Sequence, residues 1–421
     1  MNLEYSKPVV LISCLRAGGG AERQVEVLVN AGVFSKVVTL ENINEFDIDS
    51  SMVHSLSGHG RHNSRFFKML FIPVYAWRLA QYLKSHDCRV VFSVMQRANF
   101  VSIIAKLFFS HTAITNTQVH VFSLYRSVVG RTYLKLMKFL FPYANVISAN
   151  SLATLNDLVE NFGLKNKNCF VLPNLYDTDL IKQRASLDLP GFYADIMSRR
   201  CLLCVGRLTA QKCHWYTLRI FMELKKEHPE LVLVILNDGD LRNEVIDYSK
   251  RLGLKTWSVF DDADEELLDC DIYFLGVQKN PYQFYKRAAL SIHLSICEGL
   301  PNALIEARIA GAVCISSDCP SGPREIIAPD TSVRDIASGF EFYDEGVLIQ
   351  PFANDIPDWD VSRSLSNAEN AWLDALKICL SDSVLMDRKR RVSAEKISRY
   401  DIKHVKKYTP FLRDIKHENN A

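Results

Sequence analysis

The sequence predicts an α/β protein of two doubly wound parallel-sheet domains, and three observations carry that expectation. Short β-branched or apolar runs alternate with helical patterns through both halves of the chain, which is the strand–helix–strand rhythm of a parallel sheet. The periodicity lapses between Leu180 and Arg200, around Leu189-Pro190-Gly191, where Pro and Gly mark a linker. At 421 residues the chain can bury two cores. The expected domains are therefore 1–190 and 191–397.

In the first half, Pro8 to Ser13 is a β-branched run and the expected first buried strand. It leads into Gly18-Gly19-Gly20 and a helix with Val25, Leu28 and Val29 on one face. The dinucleotide fingerprint G-x-G-x-x-G fails here, because Arg23 stands where the third Gly belongs. No G-x-x-x-x-G-K-[ST] occurs either. The glycines still admit a substrate to the backbone, so an acceptor or phosphate loop and a plain βα turn both stay open. Further strands are expected at Lys36–Leu40, Arg89–Val94, Ala113–Gln118, Val146–Asn150 and Phe170–Pro173. His120 follows one of them, at the edge where ligands gather in α/β sheets; a purely structural His fits equally.

The helices of this half are basic and aromatic. From Ser51 to Asn156 there are twelve Lys and Arg, among them Arg61, Arg78, Arg126, Lys135 and Lys138, against the single acid Asp87. That pattern suits an anionic membrane surface, an ordinary solvated face, or a nucleic-acid patch; no nucleic-acid motif supports the last.

The second half opens with the strand Cys201–Val205, which runs into Gly206-Arg207-Leu208 and Gln211-Lys212. Arg207 and Lys212 at a strand mouth can clamp a diphosphate, one by its planar fork and the other as a point charge. Cys201 and Cys204 have C-x-x-C spacing but no second ligand pair, which argues against a metal. Strands follow at Leu231–Leu236, Ile272–Gly276, Val313–Ser317 and Val347–Ile349, with an acidic run from Asp261 to Glu266. Asp238-Gly239-Asp240 reads as a turn before it reads as a metal-holding D-x-D. A long helix is expected from Ala368, and the charged tail from Lys396 to Glu418 is also expected to be helical.

The most informative stretch is Leu290 to Arg308. It reads as a strand, a tight turn at Glu298-Gly299-Leu300, and a helix with Pro301 in its first turn. The amides of Gly299, Leu300 and Asn302 would face an anion at the positive end of that helix. Glu298 and Glu306 would accept hydrogen bonds from hydroxyls on either side.

Composition limits the remaining choices. Hydrophobic residues at 48% and a net charge of +2 describe a soluble globular protein, and no uncharged apolar run reaches the roughly eighteen residues of a membrane span. Eleven scattered cysteines and a polar start point to a reducing cytoplasm.

Four motifs in order carry a family resemblance. They are G-R-L-x3-Q-K (Gly206 to Lys212), F-L-G-x-Q-x-N-P-Y (Phe274 to Tyr282), E-G-L-P-N-A-L-I-E-A (Glu298 to Ala307) and S-D-C-P-S-G-P-R-E-I (Ser317 to Ile326). The chain resembles the family 4 retaining glycosyltransferases of the GT-B fold, of the bacterial surface-polysaccharide and lipopolysaccharide type. That resemblance implies two Rossmann-like domains facing across a cleft, the first for the acceptor and the second for a nucleotide-sugar, with a C-terminal helix (about 398–421) returning to the first. It implies that Arg207 and Lys212 neutralise the diphosphate, helped by the backbone from Gly299 through Leu300 and Pro301 to Asn302. Glu306 would hold the ribose and Glu298 the transferred sugar, while Gly19, Gly20 and His120 would lie near the acceptor. No metal or other cofactor is implied. A UDP-sugar is favoured as donor, a GDP-sugar next, and the acceptor is a glycan or lipid-linked glycan at the inner face of the membrane. The chain departs from the family at Cys213 and Asn237, where Gly is common. A sugar-nucleotide epimerase shares the architecture, and a non-catalytic nucleotide-sugar binder is a further alternative; the broken glycine fingerprint argues against a nicotinamide dehydrogenase.

Overall fold

The computed structural model describes residues 8–16, 19–57, 65–120, 128–164, 167–261, 268–353 and 356–412. Gly18, Arg61, Arg126, most of the acidic run to Glu266 and the tail beyond Leu412 lie outside them. The chain divides into two units, Met1–Asp177 with Tyr400–Ala421, and Thr178–Arg399.

The first unit is built on seven strands: β1 Val9–Ile12, β2 Lys36–Thr39, β3 Val53–Ser55, β4 Val90–Val94, β5 Thr112–Thr117, β6 Val146–Ala149 and β7 Asn168–Val171. Their order is β3-β2-β1-β4-β5-β6-β7, and every pair is parallel. Val9 to Ile12 are all buried, as a strand covered on both faces requires. One face packs on Val25, Leu28 and Val29 of the helix Gly20–Asn30. The other packs on Tyr75, Leu79, Phe100, Met137 and Leu158, from the helices Ile72–Ser85, Gln96–Ala105, Val128–Leu140 and Leu152–Phe162.

The second unit has β8 Cys201–Val205, β9 Val232–Leu236, β10 Thr256–Ser258, β11 Ile272–Phe274, β12 Leu290–His293, β13 Cys314–Ser317, β14 Phe340–Tyr343 and β15 Gly346–Ile349. Their order is β10-β11-β9-β8-β12-β13-β15-β14. Only β14, at the edge, runs antiparallel to its neighbour. The chain leaves β8 for β9 on one side, and β12 lies on the other. The carboxyl ends of β8 and β12 therefore flank a topological switch point, the place where open α/β sheets bind ligands. Beyond the sheet, Arg219 is buried and ties two helices together. Its Nε donates to Glu369 Oε1 at 2.9 Å and its Nη1 to the Asp360 carbonyl at 2.8 Å. Arg363 adds a bond to Glu369 Oε2 at 2.7 Å, and Glu369 also closes a capping box with Ser366.

Three expectations change. The division falls after Asp177 and not at 190, because the helices Thr178–Ala185 and Gly191–Ser198 belong to the second unit. Asn280 Nδ2 donates to the Arg184 carbonyl at 2.9 Å, and Arg287 Nη2 to the Leu187 carbonyl at 3.1 Å. The returning tail is a series of short 3-10 turns, Ile397–Tyr400, Ile402–Lys407 and Thr409–Leu412, and not one helix. Asp401 starts a new turn by accepting from Lys403 N at 2.8 Å, and Pro410 cannot continue a helix. Finally, Pro301 is the N-cap of the helix Asn302–Ile309 and not its first residue. Its carbonyl accepts from Leu304 N at 3.2 Å and Ile305 N at 3.3 Å.

Candidate active site

The loop after β8 is fastened on both sides. Gly206 N donates to the Leu236 carbonyl at 3.2 Å and Leu208 N to the Asp238 carbonyl at 3.1 Å, which holds the loop against the end of β9. A Cβ on Gly239 would come within 2.3 Å of the Leu208 carbonyl oxygen, so only glycine admits this approach. On the other side, Ile296 N donates to the Gln211 carbonyl at 3.0 Å, and Gln211 Nε2 donates to the Cys297 carbonyl at 2.6 Å. Gln211 thus stitches the loops after β8 and β12 together.

This stitching brings the predicted cations to the predicted turn. Lys212 Nζ lies 2.5 Å from Glu298 Oε1, and its alkyl chain lies across Gly206. Burial alone would lower the Lys212 pKa; the charge and hydrogen bond of Glu298 override it and hold the ammonium above its ordinary value, with the nearby Arg207 charge opposing. Arg207 is exposed, and its guanidinium pairs with no carboxylate among the described residues. The site therefore holds a paired cation and an open one within electrostatic reach of each other.

The turn itself is braced by the loop after β13. Glu298 N donates to the Pro320 carbonyl at 2.8 Å, Ser321 N to the Glu298 carbonyl at 3.2 Å, and Ser321 Oγ to the Gly299 carbonyl at 3.0 Å. Gly322 has φ +94, and a Cβ there would meet the Gly299 carbonyl oxygen at 2.5 Å. Arg324 is turned away from the site: it forms a buried ion pair with Asp318 and a 2.9 Å bond to Glu341. Of the amides expected to face an anion, Gly299 N–H has no acceptor among the described residues, while Leu300 and Asn302 make contacts of their own. Glu306 is buried in the second turn of its helix; burial raises the Tyr285 phenol well above its ordinary value, and the Glu306 charge adds to it.

Two buried histidines under the cations escaped the sequence reading. His214 Nε2 donates to the Arg207 carbonyl at 3.2 Å, and Cys204 Sγ lies 3.8 Å from its Nδ1. His293 Nε2 lies 3.0 Å from Ser291 Oγ. Burial, with Lys212 adding to it, pushes His214 down to about 4 and His293 down to about 3, so both stand neutral at ordinary pH. Cys201 and Cys204 are buried in β8, and desolvation lifts each thiol to about 12. Asp238 is paired with Arg242 at 3.2 Å and serves its own turn.

His120, Gly19 and Gly20 belong to the first unit, and the other expected site residues to the second. Gly19 is the N-cap of the helix Gly20–Asn30, and the Glu22 carboxylate folds over it. A carboxylate in that place repels phosphate and suits a hydroxyl. His120 stands just past β5, its Nδ1 3.8 Å from the buried Asp157 carboxylate. At the carboxyl end of β4 the structure adds Arg97, whose Nη2 donates to the buried Glu41 at 2.6 Å; nothing in the residue pattern marked that pair.

Residues 195–340 match the family model described as Glycosyl transferases group 1, and residues 18–180 match Glycosyltransferase Family 4. An uncharacterized glycosyltransferase of Methanocaldococcus jannaschii is 29% identical over 285 residues, covering 67% of this chain and 65% of that one, just under two thirds of its length. The N-acetylgalactosamine-N,N'-diacetylbacillosaminyl-diphospho-undecaprenol 4-alpha-N-acetylgalactosaminyltransferase of Campylobacter jejuni is 28% identical over 321 residues, 74% of this chain and 81% of that one. Among solved structures, Anabaena HepE in complex with UDP superposes with a TM-score of 0.69 at 16% identity, covering 96% of this chain and 98% of that one. Sucrose-phosphate synthase from Thermosynechococcus elongatus gives a TM-score of 0.68 at 16% identity, with the same coverage.

Proposed function

Because this chain belongs to the family 4 glycosyltransferases of the GT-B fold, we propose that it moves a sugar from a nucleotide-diphosphate sugar to a glycan or lipid-linked glycan during synthesis of a bacterial cell-surface polysaccharide. The observation that carries the reading is the meeting of Lys212 with Glu298 beside Arg207 at the switch point of the second sheet. Charge builds on the diphosphate as the sugar leaves, and preorganised cations stabilise it where it develops. Lys212 has N–H donors to spare beyond the one on Glu298, Arg207 offers its whole fork, and Gly299 adds a backbone amide. Glu298 takes sugar hydroxyls and Glu306 the ribose. The bond from the anomeric carbon to the diphosphate oxygen breaks, the acceptor oxygen bonds the same face of that carbon, and its proton passes to the departing diphosphate, so configuration is retained.

UDP is favoured over GDP, since Anabaena HepE was solved with UDP and with UDP-glucose. Polysaccharide synthesis is supported by the relatives, which include an amylovoran biosynthesis glycosyltransferase of Erwinia amylovora and a lipopolysaccharide 1,6-galactosyltransferase of Salmonella typhimurium. The two cations do the work a divalent ion does elsewhere, so EDTA should leave the rate unchanged. Among the described residues no helix is long and apolar enough to cross a membrane, and the enzyme would work as a peripheral protein at the cytoplasmic face.

The test is acceptor-dependent release of UDP from a panel of UDP-sugars. Arg207→Ala and Lys212→Ala should each lower kcat/KM by on the order of 10²–10³-fold with the urea midpoint near that of the parent. Near-normal turnover in both would remove the donor-site assignment. Release of UDP without any acceptor would point to an epimerase or hydrolase instead.

A further inference from the structure

The exposed large apolar side chains of the first unit are unevenly distributed. Among its described residues, all of them lie on or beside the helices that cover one face of the sheet, and the helix Gly20–Asn30 on the other face has none. The densest group sits where the helices Gln96–Ala105 and Val128–Leu140 end: Leu107 is 81% exposed, Phe108 52%, Phe139 66% and Tyr143 61%. The four lie on adjoining segments. Lys106 Nζ donates to the Tyr143 carbonyl and to Asn145 Oδ1, each at 2.8 Å, which brings the Leu107-Phe108 tip to Tyr143. The Phe139 and Tyr143 rings lie 6.0 Å apart edge to face. Exposed apolar residues scattered singly need no explanation, but a contiguous group does.

The charge around this group is of one sign. Arg131, Lys135 and Lys138 are exposed on the same helix as Phe139. Across Ser51 to Asn156 there are twelve Lys and Arg against the lone Asp87, and Asp87 is itself paired with Arg89 at 3.2 Å. Aromatic side chains flanked by lysines, with no acid among them, match a bilayer interface carrying anionic headgroups. A protein partner of ordinary surface composition would present both signs of charge.

We propose that this helical face rests on an anionic bilayer, with Leu107, Phe108, Phe139 and Tyr143 entering the boundary of the acyl region and Lys135 and Lys138 meeting phosphate headgroups. The inference rests on the reading of the chain as a glycosyltransferase whose acceptor is carried by a lipid, and it names the surface that would bring enzyme and acceptor together.

The test is co-sedimentation of the full chain with vesicles of phosphatidylcholine alone or with about one third phosphatidylglycerol. The parent should bind the anionic vesicles at least tenfold more tightly than the neutral ones. The triple variant Leu107→Ser, Phe108→Ser, Phe139→Ser should lose at least tenfold on anionic vesicles with its melting temperature unchanged, since all three side chains face water. Lys135→Glu with Lys138→Glu should do the same by charge alone. No binding of the parent to anionic vesicles, or equal binding by parent and both variants, overturns the proposal. UDP binding measured on the same samples tests the catalytic reading separately.

Discussion

Lys212 and Glu298 stand 86 residues apart in sequence and 2.5 Å apart in space. Because Glu298 lifts Lys212 above its ordinary value, the ammonium stays charged across the working range, and an alkaline fall in activity below about pH 10 should not come from it. Glu298→Gln removes this support and, on the proposed reading, the acceptor for sugar hydroxyls together, and kcat should fall further than donor KM rises. Gly322 is the second sensitive position. A methyl group there meets the Gly299 carbonyl at 2.5 Å and Leu300 Cα at 2.9 Å, so the turn must shift. Gly322→Ala should cost about 10²-fold in turnover, the penalty of a small misplacement at a preorganised site, with UDP affinity measured alongside to locate the loss.

At the level of elements, the sequence and the structure agree where a strand is buried on both faces. The runs at Cys201–Val205 and Leu231–Leu236 became β8 and β9 almost residue for residue, because continuous apolar character leaves no solvent face to dilute the pattern. Three short edge strands were not legible: β3 and the antiparallel β14, whose residues are partly exposed, and β10, which is only three residues long. Edge positions impose no period that a sequence must keep. The site divides the same way. Its motifs could be read because Gly, Pro, Arg and Glu recur at fixed spacing, whereas His214 lay hidden inside an ordinary helical pattern. So did the Arg219–Glu369 bond, which joins the helix His214–Lys225 to the helix Asn367–Ser381. Burial opposes the charge on Glu369, but Arg363 and Ser366 more than offset it and hold the carboxylate below its ordinary value. Its contribution is therefore complete above about pH 4.5 and is lost as the pH falls through the depressed value. Glu369→Ala leaves Arg219 buried without its carboxylate and should cost about 3–5 kcal/mol in urea unfolding.

For the whole molecule, buried neutral histidines shape the response to acid. Burial holds three of them, His111 and His214 at about 4 and His293 at about 3, below the ordinary 6.5 of the unfolded chain. Unfolding therefore takes up protons between pH 6.5 and those values, and stability should fall by up to roughly 1.4 kcal/mol per pH unit for each histidine. Thermal melts from pH 7 to 4 should show this slope, and His293→Asn should reduce it by about a third. The division of the chain has a different kind of consequence. The second unit, Thr178–Arg399, is inserted within the first, whose last segment begins at Tyr400. Tyr176 N donates to the Tyr400 carbonyl at 2.8 Å and Ile402 N to the Tyr176 carbonyl at 2.7 Å, and Leu412 is buried in the first unit's core. During synthesis, the half translated first must wait for these late residues while the half translated second can close ahead of it. Until the chain clears the ribosome, the first unit lacks its last segment. Chaperones should therefore be found on the amino-terminal half of the nascent chain.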